Sequence, residues 1–186
     1  MAFPIKDLKI EALSESHASA LNSFTCGTSA DLDDFIQNDA IYEQGRRLNR
    51  TFLFFYKKTL IGYVSLTSDL TNKVRFYKAD LVQKKDSDSP VYTSFPCVLI
   101  GRLAVKDGYH RKGIGEFIVT RAIGIVLENV SKFIGVRFVT VDPINEDARK
   151  FYKNKCGFVD MIGVKVDEEP GRMYINLEKI CGNMGQ

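Results

Sequence analysis

The stretch from Val98 to Val130 constrains the fold more than any other part of this chain. VLIGRLAV is an almost unbroken apolar run, and EFIVTRAIGIVLENV has helical periodicity. Between them, GYHRKGIG (Gly108 to Gly115) packs three glycines and three basic side chains into eight residues. A strand that passes through a glycine loop into a helix leaves several backbone N–H groups unpaired at one point. Those donors, with the positive end of the helix dipole, favour an anion. Gly113 and Gly115 carry no Cβ, so a phosphate can approach the main chain and the backbone can take positive φ. Arg111 and Lys112 add charge at the rim. Read alone, the loop serves as readily as a turn with solvated basic residues. It is not a Walker loop, because GxxxxGK[ST] is missing. It is a poor Rossmann fingerprint too, since position 118 is Ile and no early βαβ unit surrounds it.

The remaining pattern predicts a mixed α/β sheet with helices on both faces, in a single domain over 1–186. Residues 5–12 read as a strand. SADLDDFIQNDAIYEQGRRLN reads as a helix, with Ser29 as N-cap and Leu32, Phe35, Ile36 and Ala40 as its apolar stripe. TFLFFY and LIGYVSLTS form a hairpin that turns at Lys57–Lys58–Thr59. Residues 70–96, which include KKDSDSP, are polar and irregular at their centre and read as a long excursion with at most a short helix. Cys97–Val105 is a strand, Gly115–Val130 a largely buried helix, and Val136–Val141 a further strand. Asn145–Asn154 is a helix stopped by Gly157. FVDMIG and RMYINLEKI close the chain as strands.

At 186 residues, a chain can bury roughly 70% of its unfolded surface in one domain. A net charge of +3 is too small to imply nucleic-acid binding, so local clusters would have to carry it. Cys26, Cys97, Cys156 and Cys181 are scattered without CxxC spacing, and His17 and His110 are the only histidines. This excludes the usual zinc and disulfide frameworks: no metal is expected, and reduced thiols in the cytoplasm are. No run approaches the ~20 apolar residues of a membrane span.

YHRKGIG, preceded by IGRLAV and followed about thirty residues later by NEDARKFYKNKCGF, resembles the GNAT superfamily of acetyl-coenzyme A-dependent N-acetyltransferases. The loop of that family, [Q/R]-x-x-G-x-[G/A], maps onto His110 to Gly115, with His110 departing from the usual Gln or Arg. The resemblance implies main-chain contacts from Leu103, Ala104 and Val105 to the pantetheine arm. It implies a pyrophosphate cradle over His110, Arg111, Lys112, Gly113, Ile114 and Gly115. Asn145 matches a position that contacts the cofactor arm, and Tyr152 the tyrosine that protonates the departing coenzyme A thiolate. Spacing is compatible: Asn145, Ala148 and Tyr152 fall at i, i+3 and i+7 on one helix face, and Ala148 is small enough for a ligand to lie against it. Without that context Tyr152 reads as a core aromatic beside Phe151. The implied reaction is direct attack of a primary amine on acetyl-coenzyme A in a ternary complex. The other class compatible with the loop is a non-catalytic acyl-coenzyme A-binding module, which would not need Tyr152.

The N-terminal half, FTCGTSADLDDFIQNDA followed by GRRLNR and TFLFFY, looks like the tRNA-acting GNAT toxins of bacterial toxin–antitoxin pairs. That resemblance implies two partners, aminoacyl-tRNA and an antitoxin protein. Dimerisation stays open. The chemistry suits an α-amine: with a pKa near 7.7–8.0 it is neutral roughly one time in ten at pH 7, against about one in two to three thousand for lysine. Arg46, Arg47 and Arg50, with Lys106, Arg111 and Lys112, form either a basic rim for phosphates or a solvated helix end. No general base stands out, and His17 reads as solvated. Arg102 puts a cation on the face of Val98, Ile100 and Ala104, so it must meet a carboxylate or face a cleft.

Overall fold

Lys57 and Lys58 make a two-residue turn with Lys57 in the left-handed region (φ 55°), and this turn sets the register of the first hairpin. The computed structural model describes residues 3–72, 75–81, 83–84, 87–90, 92–162 and 171–184. Strands are β1 (Leu8–Ala12), β2 (Arg50–Tyr56), β3 (Thr59–Asn72), β4 (Gln83–Lys84), β5 (Ser87–Pro90), β6 (Ser94–Val105), β7 (Phe138–Val141), β8 (Val159–Asp160) and β9 (Met173–Asn176). Helices are α1 (Ala18–Asn22), α2 (Ala30–Asp34), α3 (Ala40–Gly45), α4 (Ile114–Ile125), α5 (Glu146–Cys156) and α6 (Leu177–Met184). Seven strands form one sheet in the order β1-β2-β3-β6-β7-β9-β8, and β4 and β5 pair separately. The pairs β1–β2, β2–β3, β7–β9 and β8–β9 are antiparallel. Neighbours β6 and β7 are joined through α4, the helical crossover that parallel strands require. This is the mixed α/β arrangement that the sequence pattern predicts.

The chain divides into two compact units, Met1–Thr67 with Ile100–Ala122, and Ser68–Leu99 with Ile123–Gln186. In the first, Phe35, Ile36 and Ala40 of the N-terminal helical segment are buried against Leu21, Phe24, Leu53, Phe55, Tyr63 and Ala104, with Leu32 packed alongside. That segment is not one regular helix: a π turn over Phe35–Asp39 separates α2 from α3. Ser29 stands at the expected cap position with extended backbone but makes no side-chain cap bond. Asp33 instead reaches back to accept from the Cys26 N–H at 2.7 Å. On the other face of the hairpin, a Cβ on Gly62 would lie 2.6 Å from Ile118 Cδ1 and 2.9 Å from the Ala104 carbonyl. Only glycine lets α4 approach so closely, and Ile118, Val119 and Ala122 of α4 are fully buried as predicted.

In the second unit an aromatic cluster forms the core. Phe76 stacks on Phe138 with ring centroids 4.1 Å apart, and Phe95 and Tyr174 meet them edge-on. The excursion over 70–96 is trimmed at both ends by β3 and β6, and on either side of its polar centre it delivers Phe76, Leu81 and Phe95 to this core. A 3-10 turn over Lys78–Asp80 buries Asp80, which accepts from the Tyr174 hydroxyl (2.8 Å), Asn176 Nδ2 (2.8 Å) and Lys179 Nζ (2.7 Å).

Other boundaries move. Residues 5–7 form a 3-10 turn after Pro4, so the first strand begins at Leu8. The strand predicted from Cys97 begins at Ser94, and the one predicted from Val136 begins at Phe138. The long helix ends as α4 plus a π turn over Val126–Val130. RMYINLEKI is a strand only to Asn176, whose side-chain oxygen accepts from the Glu178 N–H (3.0 Å) and starts α6. Gly163 of the predicted FVDMIG strand lies outside the described residues; Val159–Asp160 is its strand portion.

Candidate active site

β6 ends at Val105, and the chain then turns through Lys106–Gly113 into α4. Three contacts fix the exit. The Lys106 N–H donates to the Ile61 carbonyl (2.8 Å), the Asp107 N–H to the Thr25 carbonyl (2.9 Å), and Lys106 Nζ to the Ser23 carbonyl (2.7 Å). The Cys26–Gly27 segment thus lies against the strand end, with Gly27 at φ 67° and its Cβ direction 3.3 Å from Asp107 Cγ. This brace escapes the sequence pattern; the Cys26–Gly27 pair is its one visible signal.

Arg111 (φ 58°) and Gly113 (φ 79°) are both left-handed. Such an alternation turns successive N–H groups to one side of a loop. Among the described residues, the N–H groups of Arg111, Gly113, Ile114 and Gly115 donate to no carbonyl, and the first bond of α4 runs from Phe117 N–H to Gly113 O (3.1 Å). These are the free amides that an anion needs. The charged side chains are turned to other work. Lys112 Nζ donates to the Gly108 carbonyl (2.6 Å) and lies 5.0 Å from the Tyr109 ring centroid. His110 Nε2 donates to the Val105 carbonyl at 2.8 Å, latching the loop to the strand end. That bond takes up the Val105 carbonyl. Leu103 is half-buried and Ala104 buried.

In the second unit, Asn145 caps α5 by accepting from the Ala148 N–H (2.8 Å), and Gly157 ends it at φ 75°, as the sequence predicts. The capping oxygen is thereby committed, and the Asn145 amide NH₂ makes no hydrogen bond among the described residues. Ala148 is half-buried. Tyr152 is buried between Phe151 and Phe158, with ring centroids at 5.1 and 5.5 Å. Its hydroxyl takes no hydrogen bond among the described residues. Burial, with a smaller effect from Cys156, pushes its pKa well above the usual phenol value, so it holds its proton firmly.

Two expectations are corrected. Arg102 meets no carboxylate among the described residues; it is exposed, stacks 5.0 Å from the Phe35 ring centroid and donates to the Gly101 carbonyl (3.3 Å). Phe35 belongs to the same core cluster as Ala104, so Arg102 lies on the strand face that alternation predicts, where that face opens to solvent. His17 is not solvated: it accepts from the Ser14 N–H (3.1 Å) and pairs with Glu11 (3.1 Å) beneath Phe55. Among the described residues no group of three His, Cys, Asp or Glu is placed to hold a metal, and no helix is long and apolar enough to cross a membrane.

A mixed sheet whose central strand runs through an amide-lined glycine loop into a buried helix presents a set of donors suited to an anion. The chain belongs to the Acetyltransferase (GNAT) family, whose model matches residues 16–158. It is therefore an acetyltransferase, with acetyl-coenzyme A as its acetyl donor. A protein described as a tRNA-acetylating toxin, from Mycobacterium tuberculosis, is 27% identical over 137 residues, covering 74% of this chain and 77% of the relative. Among solved structures, AtaT complexed with acetyl-methionyl-tRNAfMet superposes with a TM-score of 0.77 at 24% identity, over 96% of this chain and 99% of that one. A tyrosine-to-phenylalanine variant of AtaT, bound to the C-terminus of the antitoxin AtaR and acetyl-CoA, gives 0.71 at 22% identity, over 97% and 99%.

Proposed function

We propose that this chain transfers the acetyl group of acetyl-coenzyme A to the α-amine of an aminoacyl-tRNA, and that a partner antitoxin protein restrains it in the cytoplasm. The observation that carries the acceptor is the likeness to the tRNA-acetylating relative across three quarters of the chain. The chemistry supports it. The amine must be neutral to attack, and an α-amine already is in about a tenth of molecules at pH 7, so a weak base or water suffices.

In this reading the amides of Arg111 to Gly115 hold the pyrophosphate. The main chain of Leu103, Ala104 and Val105 lines the pantetheine arm, and the amide NH₂ of Asn145 contacts it beside Ala148. The amine nitrogen forms a bond to the thioester carbonyl carbon and the carbon–sulfur bond breaks. The Tyr152 hydroxyl gives its proton to the departing thiolate, and the acetylated nitrogen loses its extra proton to water. The test is expression in bacteria, with mass spectrometry of nucleotides released from tRNA. Acetylated aminoacyl-adenosine should accumulate with the wild type and fall about a hundredfold or more in Tyr152→Phe, the scale of a lost general acid. Harmless expression without acetylated aminoacyl ends would sink the acceptor assignment, and a fully active Tyr152→Phe the proton donor.

A further inference from the structure

The arginines of the two units are used differently. In the second, Arg137 pairs with Glu178, Arg149 with Asp160 and Glu146, and Arg172 with Asp69 and Asp142. In the first, none of Arg46, Arg47, Arg50, Arg102, Arg111 or Arg121 meets a carboxylate among the described residues; the ion pairs of that unit both converge on Glu11, from Lys9 and His17. Two of the unpaired guanidiniums are nevertheless held in place. Arg102 lies over Phe35 at 5.0 Å, and Arg46 over Tyr42 at 5.3 Å. Phe35 and Tyr42 belong to one helical segment, seven residues apart. At ~1.5 Å of rise per residue that is roughly 10 Å, a spacing that lets the two cations reach different phosphates of one strand.

Beside Arg46 the backbone makes a double helix-end closure, Leu48 N–H to Glu43 O and Arg47 N–H to Gln44 O, both at 3.0 Å. Arg47 therefore occupies a left-handed position, at φ 62°. Such closures usually give that place to glycine. The nearest carboxylate in sequence, Glu43, is taken by Asn49 Nδ2 at 2.5 Å. Tyr42 stays 60% exposed. That leaves an aromatic surface beside the cation on which a base can stack.

Resting on the acceptor reading above, we infer that Arg102 over Phe35 and Arg46 over Tyr42, with Arg47 and Arg50 beside them, form the line along which the single-stranded 3′ end of the charged tRNA lays its phosphates. Stacking on the rings orients each guanidinium without neutralising it. The rest of the guanidinium N–H groups are then free for phosphate oxygens. The acceptor is thus selected by its RNA backbone, and the aminoacyl group follows.

The test uses the full-length protein, and uncharged tRNA binding is measured across a series of salt concentrations. Arg46→Gln and Arg102→Gln should each weaken binding about tenfold and reduce the slope of log affinity against log salt by roughly 0.7–0.9. Arg102→Lys, which keeps the charge, should restore most of the slope. Acetyl transfer to aminoacyl-adenosine, which has no phosphate, should be unchanged in both glutamine variants. An unchanged salt slope overturns the proposal, as does an equal fall with the phosphate-free acceptor, which would mark damage to fold or cofactor site. Intact tRNA binding with loss of a protein partner overturns it in favour of a protein-docking face. A wild type that binds tRNA with this arginine dependence but acetylates no aminoacyl end removes the reaction assigned above and leaves the surface standing.

Discussion

Gly113 shows how little of an anion cradle resides in charged side chains. Its φ is 79°, and a Cβ there would press on Ile5 Cδ1 at 3.3 Å. Any residue with a Cβ reaches that φ only at a steric cost. Lys112 beside it spends its ammonium on the Gly108 carbonyl, and His110 spends its Nε2 proton on that of Val105. Backbone amides at a helix start are fixed donors that need no side-chain ordering, so the loop binds by shape. Gly113→Val should therefore weaken coenzyme A binding at least tenfold, and Lys112→Ala by no more than about fivefold, since one exposed charge is worth ~1 kcal/mol or less. Titration of coenzyme A by calorimetry decides it; a larger loss in Lys112→Ala would return the binding energy to the side chains.

At the scale of elements, α5 is the one whose ends the sequence declares. Asn145 and Gly157 are local signals, because a cap bonds to its own helix three residues on and a left-handed stop needs only a missing Cβ. Asn145→Ala should cost about 1 kcal/mol of stability through the lost cap. Asn145→Asp keeps the accepting oxygen and removes the NH₂, so its melting temperature should hold while KM for acetyl-coenzyme A rises severalfold; an unchanged KM would reduce Asn145 to a cap alone. The glycine loop and the apolar stripe of Leu32, Phe35, Ile36 and Ala40 were legible for the same local reason. What was not legible depends on distant partners. Nothing near residues 78–80 announces that Asp80 is buried, because its donors Tyr174, Asn176 and Lys179 come from β9 and α6, nearly a hundred residues on. The end of RMYINLEKI reads as strand until Asn176 is seen turning its oxygen onto Glu178. Alternation along β6 placed Arg102 on the Ala104 face, but the ring that meets it there, Phe35, comes from a helical segment far earlier in the chain.

Across the whole molecule, carboxylates held by donors make stability depend on pH with a definite sign. Burial pushes the Asp80 pKa up, but hydrogen bonds from Lys179, Asn176 and Tyr174 together outweigh it, and the carboxyl stays below its ordinary value. Asp160 behaves alike, raised by burial but lowered further by Arg149 and Lys153, and Glu11 is lowered by His17 and Lys9. A group whose pKa is lower folded than unfolded adds stability that is complete above its unfolded value, near 4 for these carboxylates, and that is lost as pH falls through the folded one. The urea midpoint should therefore be flat from about pH 8 to 5.5 and drop steadily below about pH 4. Asp80→Asn leaves Lys179 without its counter-ion and disturbs buried donors, so it should cost roughly 1–3 kcal/mol at neutral pH. The same substitution should also make the acid limb of the curve shallower, because one of the titrating groups is gone. Urea unfolding followed by circular dichroism at each pH measures both effects. A variant that is weaker at neutral pH but keeps the full acid slope would mean that Asp80 stabilises by packing and hydrogen bonding alone, and that the acid sensitivity of the fold belongs to the other paired carboxylates, Asp160, Glu11 and Glu178.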